Sequence, residues 1–247
     1  MDIKDRVVIV TGASSGIGLA TARLLTEQGA KVALVSRSND KLNKLSDELA
    51  ESFACPADMT SRDDIEKMVK KVLKHYGRID ALINNAGQGY DALIESTDAD
   101  TFQHIFILDV IGPLIAMQQV IPIMKSQGGG SIINISSGTA LMHLPDMGAY
   151  AAVKAALAHL SLTAREELKK YNINVGVVYP YITLTDFEEN TIKEPPVEEE
   201  PEQPGSYQPP KADTAEYIAK KIVDSVKTGS AEVYAHDWMM HNGDNIS

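Results

Sequence analysis

Thr11-Gly12-Ala13-Ser14-Ser15-Gly16-Ile17-Gly18 joins an apolar run, Arg6 to Thr11 (RVVIVT), to a stretch from Ile17 to Gln28 that reads as a helix closed by Gly29. The glycines let the chain turn tightly and let a ligand approach the backbone. A helix that starts just after such a turn presents unpaired N–H groups and a partial positive charge to an anion. Strand, turn and helix in this order predict a phosphate site held by Gly12, Ser14, Ser15, Gly16, Ile17 and Gly18. The spacing is Gly-x-x-x-Gly-x-Gly, not the Gly-x-Gly-x-x-Gly of the commonest dinucleotide fold.

The same alternation continues along the chain. Lys31 to Ser36, Phe53 to Ala57, Asp80 to Asn84, Ser131 to Ser136, Asn172 to Tyr179 and Glu232 to Ala235 read as further strands. Helices are expected at Asp40 to Glu51, from the capping-box-like Thr60-Ser61-Arg62-Asp63 to about Tyr76, and at Asp98 to Met124, Gly148 to Lys169 and Thr214 to Lys227. Pro113 should kink or break the third of these. Continuous apolar strands, each followed by a helix, predict an α/β fold: a doubly wound parallel sheet with helices on both faces. Residues 1–247 are expected to form one domain, interrupted by an acidic, proline-rich insertion at about 186–210.

The chain has 247 residues and a formal net charge of −11, which argues against nucleic acid or an anionic membrane as the main partner. Its one cysteine, Cys55, excludes an intrachain disulfide and suits a reducing cytoplasm. No apolar run is expected to span a bilayer, and the first residues lack a signal-peptide core. The histidines are scattered, without metal-ligand spacing.

The second strand ends at Ser36-Arg37. An acid there would bond a ribose 2′-hydroxyl; a cation instead favours a 2′-phosphate, hence NADP over NAD. Tyr150 and Lys154 stand four residues apart and share a helix face. An ammonium so close to a phenol favours the phenolate, lowers the tyrosine pKa and makes it a usable acid or base. Ser137 lies upstream, at the end of the fifth strand.

Thr11-Gly12-x-x-x-Gly16-x-Gly18, Asn84-Asn85-Ala86-Gly87, and Ser137 with Tyr150-x-x-x-Lys154 together resemble the short-chain dehydrogenase/reductase family, over nearly the whole chain. The resemblance implies a Rossmann-type sheet of about seven strands and an oxidoreductase acting on a ketone or aldehyde and the corresponding alcohol. Tyr150 would exchange the proton, Ser137 would hold the substrate oxygen, and Lys154 would bind the nicotinamide ribose. It places Asn85, Ala86, Gly87, Asp58, Pro180 and Thr185 beside the cofactor. It also implies a homodimer or homotetramer.

Two positions depart from the family pattern. Asp109 stands where the family usually has asparagine, bringing a carboxylate near Lys154. Tyr181 follows Pro180 where glycine is usual, and is expected to shift the backbone, cover the cofactor or line the substrate pocket. Gln88, Tyr90, Thr139 and Leu141 are the other expected pocket residues, suited to a small-molecule ketone or secondary alcohol of moderate hydrophobicity. The segment Ile182 to Ile192 reads as a lid. A non-catalytic NADP-binding sensor or scaffold is the alternative reading, resting on Asp109 and Tyr181. An epimerase or dehydratase is a third reading, weakened because no separate substrate domain is visible.

Overall fold

The computed structural model describes residues 1–194 and 211–241. Seven parallel strands form the central sheet: β1 (Val7–Thr11), β2 (Lys31–Val35), β3 (Ser52–Ala54), β4 (Ala81–Asn84), β5 (Gly130–Ile135), β6 (Ile173–Tyr179) and β7 (Glu232–Tyr234). Their spatial order is β7-β6-β5-β4-β1-β2-β3. The chain winds outward from β1 to β3, crosses back, and winds the other way from β4. The reversal leaves a crevice between the carboxyl ends of β1 and β4, where open α/β sheets bind ligands.

The helices are α1 (Gly16–Glu27), α2 (Asn39–Glu48), α3 (Arg62–Tyr76), α4 (Ala99–Phe106), α5 (Gly112–Gln127), α6 (Gly148–Leu168) and α7 (Ala215–Thr228). Side chains alternate across each strand, and both faces are covered. Val8 and Val10 of β1 pack with Leu25, Leu42 and Ile222 from α1, α2 and α7. Val7 and Ile9 pack on the opposite face with Val69, Val72 and Val120 from α3 and α5. Burial on both faces is why the strands lack a polar alternation.

The ends of α3 follow from local chemistry. The Ser61 hydroxyl accepts from the Asp64 amide at 3.3 Å, acids occupy the first turn, and Gly77 closes the helix with φ 77°. By contrast α1 has no side-chain cap and no acid in its first turn.

The helix expected to kink at Pro113 behaves differently. Between α4 and α5, Ile107–Ile111 form a π-turn in which the Gly112 amide reaches back to the Ile107 carbonyl. Pro113 falls in the first turn of α5, where its missing N–H costs nothing. The wider turn accommodates the proline without ending the helix, and it carries Asp109. The expectation of no membrane-length apolar run also needs correcting. Ala99–Gln127 is long and apolar enough by composition, but half of its most apolar stretch is buried inside the protein, and α5 side chains fill the core under the sheet.

Part of the acidic insertion has structure. Ile192–Lys193 pair in parallel with Tyr90–Asp91, and the segments that flank the insertion, Thr183–Leu184 and Asp213–Thr214, pair with each other. The remainder, 195–210, lies outside the described residues.

Candidate active site

The β1–α1 turn is built to bring backbone close to a ligand. Gly12 and Gly16 have φ of 67° and 52°, a region L side chains rarely enter. A Cβ on Gly18 would lie 2.6 Å from Asn85 Nδ2. Ser15 sits at the N-cap in extended backbone without capping α1 through its side chain. Ser14, Ser15, Gly16 and Ile17 are all partly accessible. The N–H groups at the start of α1 are therefore available to an anion.

The strand ends beside this turn are tied together by Thr11. Its hydroxyl accepts from the Asn85 and Ala86 amides at 2.9 and 3.0 Å and donates to the Ile83 carbonyl at 3.3 Å. Asn85 Nδ2 donates back to the Thr11 carbonyl at 3.0 Å. Thr185 stands against Gly16, within 3.1 Å of where a Cβ would be. Arg37 is exposed past the end of β2. Asp58 is fixed by Thr60, whose amide and hydroxyl each reach Asp58 Oδ1 at 2.8 Å. An uncapped helix start, crowded glycines and the run Asn85-Ala86-Gly87 together fit a dinucleotide lying across the crevice.

The residues expected to handle the proton come from two elements, and Asp109 reaches them from a third. Ser137 lies two residues past β5 and caps the start of the short 3-10 turn Gly138–Leu141; its Oγ accepts from the Thr139 amide and hydroxyl at 3.2 and 3.0 Å. Tyr150 and Lys154 lie on α6, and Lys154 Nζ is 5.6 Å from the Tyr150 ring centroid. Lys154 is buried, donates to the Ile135 carbonyl at 3.1 Å, and stands 2.8 Å from Asp109 Oδ2. Asp109 Oδ1 accepts from the Gln88 amide at 3.2 Å. Gly87 is the roof of this pair: a Cβ there would lie 2.7 Å from Asp109 Oδ2.

These contacts reverse one expectation. Burial raises the Tyr150 pKa; Lys154 and the Ser137 hydroxyl oppose it, but Asp109 and Asp91 add to it, and the phenol ends above its ordinary value. Burial also acts against the Lys154 ammonium, but Asp109 and Tyr150 outweigh it and hold the lysine charged. Asp109 is pushed upward by its own burial, against the pull of Lys154.

Several expected pocket residues are placed differently. Tyr90 is fully buried among Ile105, Val110, Ala149 and Val153. Its hydroxyl accepts from the Asp98 amide at 2.7 Å and contacts Glu194, so it supports the loop from behind instead of lining a pocket. Leu141 shares a shallow groove with Ala155, Ala158, His159 and Leu162. That face of α6 is roughly a quarter turn or more from Tyr150. Thr139 remains beside Ser137, and Gln88 remains at the mouth, its side chain donating to the Asn190 carbonyl at 3.1 Å.

Pro180 presents its carbonyl to the Gly138 amide at 2.7 Å. The Tyr181 ring packs edge-on against His236 and Trp238 at 5.9 and 5.2 Å, a support the sequence did not signal. Phe187, also unanticipated, lies 6.1 Å from the Tyr150 ring. Its apolar character within an acidic run was the available clue. Asn134 was missed as well. It accepts from Asn84 and donates to Ser161, both at 2.7 Å, locking β4, β5 and α6 beneath the site. Among the described residues, no histidine, cysteine and acid cluster could hold a metal.

A crevice at the sheet's switch point, with a glycine turn on one side and a half-buried tyrosine and a buried lysine on the other, defines a nucleotide-dependent α/β oxidoreductase. Residues 6–196 match the short chain dehydrogenase model, and the chain belongs to the short-chain dehydrogenase/reductase family, enzymes that act on CH–OH and C=O groups with NAD(P). It is 37% identical over 185 residues to the 3-oxoacyl-(acyl-carrier-protein) reductase of Thermotoga maritima, covering 73% of this chain and 75% of that one. It is 25% identical to an alcohol dehydrogenase of Thermococcus sibiricus solved with 5-hydroxy-NADP, with a TM-score of 0.81 over 94% and 96% of the two chains. A family member from Burkholderia phymatum solved with NAD shares the fold at a TM-score of 0.85, with 22% identity over 97% and 92% of the chains.

Proposed function

We propose that the protein is an NADP(H)-dependent oxidoreductase that interconverts a ketone or aldehyde with an alcohol, with Tyr150 exchanging the substrate's proton. The observation that carries this reading is the convergence of Ser137, Tyr150 and Lys154 at the carboxyl edge of the sheet, beside an uncapped α1. The nicotinamide, when bound, supplies or accepts the hydride. Ser137 donates its hydroxyl hydrogen to the substrate oxygen and orients it. Tyr150 gives a proton to that oxygen in reduction and takes it back in oxidation. Lys154 holds the ribose and carries a positive charge next to the phenol. Phe187 stands next to the Tyr150 ring and would border the substrate.

Arg37 with no acid at Ser36 supports NADP over NAD. The lone, buried Cys55 suits a cytoplasmic setting. Small residues on the accessible face of α6 suit a homodimer or homotetramer. A scaffold reading is not favoured, because the chain's relatives are oxidoreductases.

A carbonyl and alcohol panel run with both cofactors tests the proposal. The expected result is NADPH oxidation with at least one carbonyl, abolished by Tyr150→Phe. Equal efficiency with NADH and NADPH would overturn the cofactor assignment, and full activity in Tyr150→Phe would overturn the role of Tyr150.

A further inference from the structure

We propose that Asp109 is a positioning residue that binds Lys154 into a neutral pair and thereby keeps Tyr150 in its proton-donating form, so that the site is set for carbonyl reduction. This deepens the oxidoreductase reading and rests on it.

The geometry is specific to the carboxylate. Asp109 is fully buried, on the π-turn that Pro113 follows, and its Oδ2 is 2.8 Å from Lys154 Nζ. Its other oxygen takes the Gln88 amide, so the carboxyl plane is fixed from the loop after β4. Lys154 is held from its other side by the Ile135 carbonyl. The lysine is thus clamped between two elements, with an anion as one jaw. A lysine alone presents a full positive charge to the phenol of Tyr150 and draws out its proton. A lysine already paired with an acid presents a charge near zero, and its help to the phenolate falls accordingly.

The charged and titratable groups around the phenol come from every element packed on it. They are Lys154 on α6, Asp109 on the π-turn and Asp91 on the short strand after β4, with the Ser137 hydroxyl just past β5. His104 on α4 faces Asp109 from an exposed position. Lys154 is the one buried cation among these groups, and Asp109 is its buried counter-ion.

The consequence is directional. Reduction needs Tyr150 protonated, and the neutral pair preserves that state well above neutral pH. Oxidation needs the phenolate, and therefore a more alkaline solution than the same site would require with an uncharged residue at 109.

Asp109→Asn tests this by two readouts. The first needs no turnover and no cofactor: the phenolate absorbance of Tyr150 is followed against pH as the difference between each protein and its Tyr150→Phe counterpart. The Tyr150 phenolate should appear about one pH unit lower in Asp109→Asn. The second is the pH–rate profile of carbonyl reduction, whose alkaline limb should move down by the same amount, about a tenfold loss at the alkaline end relative to pH 7. A structural role alone would lower the rate equally at every pH. Unmoved or upward-shifted titrations in Asp109→Asn would overturn the proposal; an upward shift would mean that the acid acts mainly by keeping Lys154 charged. Asp109→Ser removes the same charge should the asparagine variant fail to fold. Inactivity on every substrate would sink the oxidoreductase reading while leaving the phenolate titration to decide the role of Asp109.

Discussion

Two buried aspartates stand at opposite ends of the sheet, and they are built differently. At the amino edge, Asp80 receives four N–H donors: the Val7 amide at 2.9 Å, Arg78 Nε and Nη2 at 2.8 and 2.6 Å, and Arg6 Nη1 at 3.3 Å. At the carboxyl edge, Asp109 has one lysine and one amide. Burial opposes both charges. At Asp80 the arginines and the amide win and hold the carboxyl below its ordinary value; at Asp109 burial wins and the value rises. The residue type is shared, but Asp109 lies deeper and has fewer donors, so depth and donor set together separate them. A fully served carboxylate clamps a strand. A sparsely served one remains responsive to its neighbours, and it lies where the chemistry is expected.

The contrast breaks first if the carboxyl edge proves structural. Tyr150→Phe removes one hydroxyl beside the Asp109–Lys154 pair and leaves the ring packing on Phe187. The expected loss in kcat is on the order of 10²–10⁴-fold, with the thermal midpoint close to that of the parent. Unfolding of the variant at ordinary temperature would show that the hydroxyl holds the fold.

Asp80→Asn probes the other edge and should do the reverse. It should lower stability by about 2 kcal/mol at pH 7, a fall of roughly 4–8 °C in Tm, with kcat per folded molecule unchanged. The pH dependence has a definite sign. The folded-state value of Asp80 is depressed, so its contribution is complete above the unfolded value of about 4 and is lost as pH falls through the folded one. Unfolding curves of parent and variant should therefore differ at pH 7 and converge below about pH 4. A gap that widened in acid would refute the ion cluster as its source.

Gly87→Ala sharpens the comparison at the responsive acid. Its methyl would stand 2.7 Å from Asp109 Oδ2 and 3.2 Å from Lys154 Nζ, forcing the pair to shift. About a tenfold loss of kcat at neutral pH is expected, larger than any change in cofactor affinity. Fluorescence titration with NADPH separates the two. Unchanged kcat would mean that the pair tolerates displacement and positions nothing.

The difference between the two edges also explains what the sequence made readable. The glycine turn, the strand limits to within a few residues, and the Tyr150/Lys154 spacing are local patterns, set by backbone sterics and helical period. Asp109 was visible as an odd residue, but its partner's net effect was not. The sign at Tyr150 depends on burial and on Asp91, which meet the site only through the fold. The π-turn was announced by Gly112-Pro113, yet a kink and a widened turn obey the same steric rule, and the local sequence does not separate them. Tyr90 carried an aromatic side chain into a loop, which reads equally as pocket wall or as core. The pairing of Tyr90–Asp91 with Ile192–Lys193 joins segments about a hundred residues apart, and no local pattern encodes that partnership.

Arg37 gives the smallest expected effect, because it is exposed at the carboxyl edge. It lies within electrostatic reach of Asp58, whose burial cost is outweighed by the Thr60 hydrogen bonds and then by Arg37 and His104. An accessible guanidinium is screened by water and salt, so its contact with a 2′-phosphate should contribute modestly. Arg37→Ala should raise the KM for NADPH about fivefold to tenfold and leave that for NADH unchanged. The ratio should shrink as ionic strength rises, since the Debye length contracts from about 10 Å at 0.1 M to about 3 Å at 1 M. The buried pair at the same edge offers the internal control. Asp109→Asn should shift pH profiles through a contact that solvent does not reach, so its effect should persist at a salt concentration that erases the Arg37 preference. Equal salt sensitivity of the two variants would mean that Asp109 and Arg37 act through the same long-range field, and the division between a screened cofactor contact and a buried proton-setting pair would fall.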